Sequence, residues 1–274
     1  MVKEIPVIWY QCAGCSGCAV SVLNALSPNI KNILVDELLP GKHINLKFLT
    51  TIMAASGEPA IKVLRDTEKN LKGGYVLVVE GSIPKGKFGE VGEQTMEEGV
   101  ESLARNAQII ISLGTCSAFG GIPAGAPNPT GARSVKELLE TKNINVPLIN
   151  IPGCPPHPDW FSGTVANILL YGIPEVDELA RPKLFYGELV HENCERRPYF
   201  DKGKFAKDFS DEGCLYELGC KGPYTNADCP IRSWNSKVNW CVQNGSPCIG
   251  CTEPGFINVL SPMYKKMKIE NLVK

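Results

Sequence analysis

Seven of the chain's twelve cysteines fall within residues 194–251. His191 precedes the first of them by three positions, and the last two, Cys248 and Cys251, form a C-x2-C pair. Glycine and proline are frequent between these cysteines, and apolar residues show neither helical nor strand periodicity. The segment is therefore predicted to have little packed core of its own. Bound metal is the leading candidate for what stabilises it.

Three kinds of chemistry could use so many thiols. Disulfides are typical of small secreted domains rather than of one segment in a chain of 274 residues. Two zinc sites, one of them with a histidine and three cysteines, would fit the number of ligands. Iron–sulfur clusters are held by thiolates, with imidazole as an occasional substitute. On this segment alone we favour clusters over zinc and zinc over disulfides, and all three remain open.

The composition limits the class of protein. A chain of 274 residues that is 43% hydrophobic can form one full core and a second small domain. The net charge is −1, so binding to nucleic acid or to an anionic membrane surface is not indicated. No stretch approaches the roughly 20 apolar residues of a transmembrane helix. No signal peptide or twin-arginine leader is recognisable, which predicts a periplasmic protein if a leader was removed and a cytoplasmic one if Met1 is the native start.

Strands and helices alternate before the cysteine-rich segment. Five short apolar runs are predicted as strands, at residues 6–10, 45–48, 75–79, 108–113 and 146–151. Helical patterns follow them, at residues 19–24, 60–69, 95–107, 134–141 and 160–171. This order predicts an α/β domain with a doubly wound parallel sheet. A change of composition near residues 181–183 predicts two domains, residues 1–182 and 183–274.

Four more cysteines follow the carboxyl ends of predicted strands. Cys15 and Cys18 come after the first strand, Cys116 after the fourth and Cys154 after the fifth. Because these ends of parallel strands lie at one edge of a sheet, we expect the four thiols to converge. The C-x2-C pair alone would indicate a redox dithiol or half of a zinc site. The convergence of all four predicts a cluster site instead.

Taken together, the motifs resemble those of the small, electron-transferring subunit of nickel–iron hydrogenases. The matching segments are C-S-G-C-A-V-S (15–21), G-T-C-S-A-F-G-G-I-P (114–123), P-G-C-P-P-H-P-D-W (152–160), H-E-N-C (191–194), C-L-Y-E-L-G-C-K-G-P (214–223), and N-W-C-V-Q-N with C-I-G-C (239–251). The resemblance spans nearly the whole chain. It implies a flavodoxin-like domain over residues 1–182 and a mostly irregular iron–sulfur domain over residues 183–274.

The resemblance also implies three [4Fe–4S] clusters and their ligands. The proximal cluster, in the flavodoxin-like domain, would be bound by Cys15, Cys18, Cys116 and Cys154. The distal cluster would be bound by His191, Cys194, Cys214 and Cys220. The medial cluster would be bound by Cys229, Cys241, Cys248 and Cys251. Many family members have proline where this chain has Cys241, and carry a [3Fe–4S] medial cluster. A cysteine there resembles the nickel–iron–selenium branch.

By the same resemblance, the chain would be the electron-transfer subunit of an oxidoreductase that acts on hydrogen. The nickel–iron centre would lie on a large subunit, in an obligate heterodimer or a dimer of heterodimers. No hydrophobic helix follows the last ligand, so the expected electron partner is a soluble cytochrome or ferredoxin. The alternative is the small subunit of a hydrogen-sensing regulatory hydrogenase. A quinone-linked subunit of respiratory complexes would share the α/β domain, but it has no counterpart of residues 194–251.

Three residues near the predicted ligands receive no ligand role. Cys12 is expected to be a small buried side chain. His157 is expected either to hydrogen-bond near the proximal cluster or to pack on Trp160. Glu80, at a strand end, is expected to be either a polar group behind the ligands or a carboxylate that caps a helix. None of these residues is predicted to be catalytic.

Overall fold

The structure is a computed structural model and describes residues 3–34, 36 and 41–266. The chain divides into two compact units, Met1–Pro182 and Lys183–Lys274. They are called the N-terminal unit and the C-terminal unit below. None of the helices in the described residues is long and apolar enough to cross a lipid bilayer.

A parallel sheet of five strands forms the centre of the N-terminal unit. Its strands are β1 (Lys3–Gln11), β2 (Lys42–Phe48), β3 (Val76–Glu80), β4 (Ile109–Leu113) and β5 (Leu148–Ile151). The spatial order is β2-β1-β3-β4-β5, which is the flavodoxin-like order. The predicted fold class is therefore confirmed. The chain continues outward in opposite directions from β1 and β3, and ligands bind at such a switch point.

The carboxyl ends of four strands are level with one another. Gln11 of β1 pairs with Glu80 of β3, Glu80 with Leu113 of β4, and Leu113 with Ile151 of β5. β4 and β5 are almost wholly buried and mostly apolar, as expected for strands of a parallel sheet that is covered on both faces. The loops that follow β1, β4 and β5 consequently begin at one height along the sheet edge.

Seven helices accompany this sheet. They are α1 (Gly17–Leu23), α2 (Ile30–Leu34), α3 (Glu58–Asn70), α4 (Met96–Arg105), α5 (Thr115–Phe119), α6 (Val135–Thr141) and α7 (Pro158–Tyr171). The sequence predicted all of them except α2 and α5, which have only five residues each and show no clear periodicity. Two-residue strands at Glu90–Val91 and Gln94–Thr95 form a small hairpin, and Gly86–Phe88 and Ile122–Ala124 are short 3-10 helices.

Local sequence determines where α4 and α6 begin. The Thr95 hydroxyl accepts the N–H of Glu98 at 3.2 Å, and the Glu98 carboxylate accepts the N–H of Thr95 at 3.0 Å. Ser134 and Glu137 repeat the arrangement at the start of α6. Each capping box satisfies two backbone donors that a helix leaves unpaired, which contributes about 1 kcal/mol.

The C-terminal unit has only short regular elements among its described residues. These are α8 (Lys183–Tyr186), α9 (Arg197–Asp201) and α10 (Cys229–Arg232), with 3-10 helices at Leu215–Leu218 and Gly222–Tyr224. Turns connect them. The unit nevertheless buries several large side chains, among them Tyr186, Trp240 and Phe256. Of these three residues only Trp240 lies within residues 194–251, and no sequence period there predicts its burial.

Gly99 of α4 provides a test of the packing between α4 and β1. A Cβ at this position would overlap the hydroxyl of buried Tyr10 and lie 2.8 Å from its Cζ. We predict that Gly99→Ala destabilises the protein by about 1–3 kcal/mol through overpacking, although alanine is favoured over glycine in helices by about 1 kcal/mol. Urea unfolding measures the change.

A double-mutant cycle with Tyr10→Phe supplies the control. Removing the hydroxyl removes the nearest obstructing atom, so Gly99→Ala should cost at least about 0.5 kcal/mol less in that background. An equal cost in both backgrounds would contradict the contact.

Candidate functional site

The thiols that follow β1, β4 and β5 lie near one another at the sheet edge. Burial raises the pKa of Cys18 far above its ordinary value, and the charges of Glu80 and of Cys116, Cys15 and Cys154 raise it further. Burial and the charge of Cys154 raise the pKa of Cys116 to about 11. The structure therefore brings together the four residues of the predicted proximal set. None of the twelve cysteines, all of which lie in the described residues, forms a disulfide.

Two glycines leave room beside these sulfur atoms. Gly114, just after β4, has φ 92°, and a Cβ there would overlap the Sγ of Cys18. Gly121 has φ 53°, and its Cβ would lie 2.9 Å from the Sγ of Cys116. Any larger residue would be strained and would intrude on the thiols. Close approach to the sulfur atoms is what a bulky inorganic core requires, so the set fits a cluster.

Glu80 caps the first turn of α1, which contains Cys18. Its carboxylate is 3% exposed and accepts four hydrogen bonds. One oxygen accepts Trp9 Nε1 at 2.8 Å and Gln11 Nε2 at 3.0 Å. The other accepts the backbone N–H groups of Cys18 and Ala19, each at 3.1 Å. Of the two roles expected for Glu80, the structure shows the helix-capping one.

In the C-terminal unit, a small cavity is lined by all four residues of the predicted distal set. These are His191, Cys194, Cys214 and Cys220. Burial raises the pKa of Cys194 to about 11, and the charges of Cys220 and Cys214 add to that effect. The backbone N–H of Arg196 donates to the Cys194 sulfur at 3.4 Å.

His191 has the properties of a metal ligand. Its Nε2 is buried and has no hydrogen-bond partner among the described residues. Its ring meets that of Phe200 edge-on, with centroids 4.5 Å apart. Burial, followed by the charge of Arg197, lowers its pKa, which favours the neutral imidazole with one unprotonated nitrogen. A buried polar atom without a partner is rare, and a metal would satisfy it.

The four cysteines of the predicted medial set also lie near one another, and one of them, Cys241, is more exposed than the other three. Burial raises the pKa of Cys229 strongly, and the charges of Cys251 and Cys241 raise it further. Burial also raises the pKa of Cys248, and the charges of Cys220 of the distal set and then of Cys251 and Cys229 raise it further. Cys241, in contrast, is exposed. Its charge acts on Cys220 of the distal set as well as on Cys229.

These groupings differ from the site of a single ion. No three His, Cys, Asp or Glu side chains in residues 3–34, 36 and 41–266 lie close enough together to hold one metal ion. A cubane bonds each ligand to a different iron atom, so its ligands do not meet at one point.

Two other predicted residues have structural contacts. His157 Nδ1 accepts the N–H of Asp159 at 3.0 Å at the start of α7, and its ring packs on Trp160 with centroids 5.8 Å apart. Packing on Trp160 is therefore the role that the structure shows. Cys12 is 9% exposed and belongs to the apolar core, and its N–H donates to the carbonyl of Glu80 at 2.7 Å.

Comparison with known proteins identifies the family. A model of the C-terminal part of the NiFe/NiFeSe hydrogenase small subunit matches residues 186–264, and "NADH ubiquinone oxidoreductase, 20 Kd subunit" matches residues 15–168. The chain is 44% identical to the periplasmic [NiFeSe] hydrogenase small subunit of Desulfomicrobium baculatum, over 96% of this chain and 87% of that protein. The chain belongs to the family of nickel–iron hydrogenase small subunits.

Similarity to other members of the family supports this assignment. The chain is 45% identical to the periplasmic [NiFe] hydrogenase small subunit of Solidesulfovibrio fructosivorans, over 95% of this chain and 81% of that protein. Its structure resembles that of the H2-activated [NiFeSe] hydrogenase of Dm. baculatum with a TM-score of 0.90, over 97% of this chain and 100% of that chain, at 44% identity.

The predicted resemblance is thus confirmed, and the protein is a subunit of an oxidoreductase. The respiratory-complex family matches only within the N-terminal unit, whereas the hydrogenase family model matches residues 186–264 of the C-terminal unit. This division agrees with the expectation that the quinone-linked subunit has no counterpart of the second segment.

We predict that Glu80→Ala lowers the free energy of unfolding by at least about 3 kcal/mol, because it leaves buried donors without an acceptor. Glu80→Gln keeps one of the two accepting oxygens and should lose about half as much. Urea unfolding of the purified enzyme measures both. The control is Glu90→Ala, at an exposed carboxylate. Equal unfolding of Glu80→Ala and the control would contradict the capping role.

Proposed function

We propose that this hydrogenase small subunit transfers electrons between a nickel–iron active site on a large subunit and an external redox partner. The observation that carries the proposal is that the predicted ligand side chains are grouped in three sets, one of which lines a small cavity and contains the unpartnered Nε2 of His191. Similarity to [NiFeSe] and [NiFe] small subunits over nearly the whole chain supports it.

Each set would hold one [4Fe–4S] cluster. The set of Cys15, Cys18, Cys116 and Cys154 would hold the proximal cluster, and the His191, Cys194, Cys214 and Cys220 set the distal one. When bound, each cluster would take up and release one electron at a time. The protein's part is to hold the thiolates and the neutral His191 imidazole in place and to set the charge around them. The nickel–iron centre and the hydrogen chemistry belong to the large subunit.

The third set decides which branch of the family the chain belongs to. Cys229, Cys248 and Cys251 supply three ligands, and a cubane requires a fourth. We propose Cys241, because its charge acts on Cys229 and because the chain is 44% identical to a [NiFeSe] small subunit. Without Cys241 the medial cluster would be [3Fe–4S].

We assign the electron exit to the His191 set and the external partner to a soluble cytochrome or ferredoxin. A neutral imidazole in place of a thiolate leaves a cluster one charge less negative, which raises its reduction potential. The cluster at the His191 set would therefore be the more readily reduced end of the relay.

Iron analysis of the assembled enzyme tests the cluster count. We predict twelve iron atoms in the small subunit, four for each cubane, and no EPR signal of an oxidised three-iron cluster in the enzyme kept free of air. Cys241→Pro should create that signal and lower the count to eleven. The matched control is Cys12→Ala, which should keep all twelve. A three-iron signal at one spin per unaltered molecule would contradict the role of Cys241.

His191→Cys tests the electron exit. We predict that it slows hydrogen-dependent reduction of an external acceptor by about tenfold or more, because an added negative charge lowers the potential of the exit cluster. Hydrogen–deuterium exchange at the large subunit's nickel site should persist. An equal loss of both activities would contradict the assignment.

A further inference from the structure

Lys221 is a buried lysine that adjoins two of the ligand sets. It follows Cys220 directly and is only 1% exposed, whereas lysine is almost never fully buried unless it is paired. Its backbone N–H donates to the carbonyl of Cys248 at 2.7 Å. Lys221 therefore joins the loop that carries a ligand of the His191 set to the loop that carries a ligand of the Cys229 set.

The ammonium of Lys221 is only partly satisfied by the protein. Its Nζ donates to the carbonyl of Lys265 at 2.7 Å, and it makes no ion pair with an Asp or Glu of the described residues. An ammonium group has three N–H donors, and a neutral carbonyl does not compensate its charge. A buried charge is costly unless it is paired. A nearby anion would therefore stabilise the ammonium of Lys221.

The residues beside Lys221 that would carry negative charge with clusters bound are sulfur ligands: Cys220 precedes it in the chain, and the carbonyl of Cys248 accepts its backbone N–H. Burial lowers the pKa of Lys221, and the charges of Cys220 and Cys248 act in the opposite direction. By its position, Lys221 thus lies beside one sulfur ligand of each of the two proposed sets, and these sulfurs would be thiolates when clusters are bound. The Lys265 carbonyl, to which its Nζ donates, is neutral.

The backbone of Lys221 is packed against two neighbouring segments. The Thr225 hydroxyl donates to the Lys221 carbonyl at 2.7 Å. Gly250, between Cys248 and Cys251, has φ 73°, and a Cβ on it would lie 3.4 Å from the Cβ of Lys221. The loops that carry Cys220 and Cys248 therefore approach each other closely at Lys221.

We propose that Lys221 is the shared counter-charge of the clusters at the His191 and Cys229 sets and raises the reduction potential of both. This inference rests on the proposed function, since it requires clusters at these sets. A cluster becomes more negative when it takes up an electron, so a fixed cation stabilises its reduced form. Net charge is among the factors that set the potential of such clusters.

Lys221→Met in the assembled enzyme, followed by EPR-monitored redox titration, tests the inference. A unit charge about 10 Å away, at an effective dielectric constant of about 20, changes a one-electron equilibrium roughly tenfold, or about 59 mV. Both clusters should shift to lower potential by about that amount. Lys221→Arg keeps the positive charge, so both clusters should have nearly the potentials of the unaltered enzyme. The control is Lys266→Met, because Lys266 is exposed and paired with Glu217, so little shift is expected.

The outcomes separate this inference from the function on which it rests. Absence of iron from the unaltered enzyme would refute the proposed function itself. Full iron with unmoved potentials in Lys221→Met, or a shift of one cluster alone, would overturn the shared counter-charge. If Lys221→Met loses iron, Lys221→Gln, which keeps a donor for the Lys265 carbonyl, is titrated with the same expectation. Loss of iron from this variant too would overturn the inference, because Lys221 would then be needed for cluster assembly.

Discussion

Burial and mutual repulsion make it costly to ionise the clustered thiols, and every predicted ligand set is subject to this electrostatic constraint. Burial raises the pKa of Cys18, Cys229 and Cys248 strongly, and neighbouring thiols raise it further. The thiolate is the form that binds metal. The burial of these thiols therefore disfavours the form that metal binding requires. A bound metal ion reverses this balance, because it deprotonates a coordinating thiol outright. Metal binding and the stability of the sulfur-rich regions are therefore coupled.

The two units meet this constraint in different ways. In the N-terminal unit, the level ends of β1, β3, β4 and β5 define the site, and the buried carboxylate of Glu80 holds the helix start that carries Cys18. Strand ladders make that frame rigid without metal. In the C-terminal unit, the predicted ligands lie in short turns that are held by backbone hydrogen bonds, such as that from the N–H of Lys221 to the carbonyl of Cys248. We therefore expect the geometry of the proposed ligand sets in this unit to depend more on a bound cluster.

Sequence patterns predicted the sheet and the convergence of the four strand-end cysteines, because apolar runs and strand order determine which loops share an edge. The medial and distal ligand sets came from the resemblance, since turns have no period. The four donors to Glu80 depend on tertiary contacts between β1, β3 and α1, which no local pattern reveals. The burial of Lys221 was missed for the same reason: within C-K-G-P, a lysine is indistinguishable from an exposed one.

Anomalous X-ray diffraction at the iron absorption edge, on crystals of the assembled enzyme grown without air, tests most directly whether the three sets hold clusters. The account predicts three compact groups of iron peaks, one beside Cys18 and Cys116, one within reach of His191 Nε2, and one beside Cys229 and Cys248. Each group should resolve into four irons. A single isolated peak at any of these sets, or peaks at the zinc edge instead of the iron edge, would contradict it.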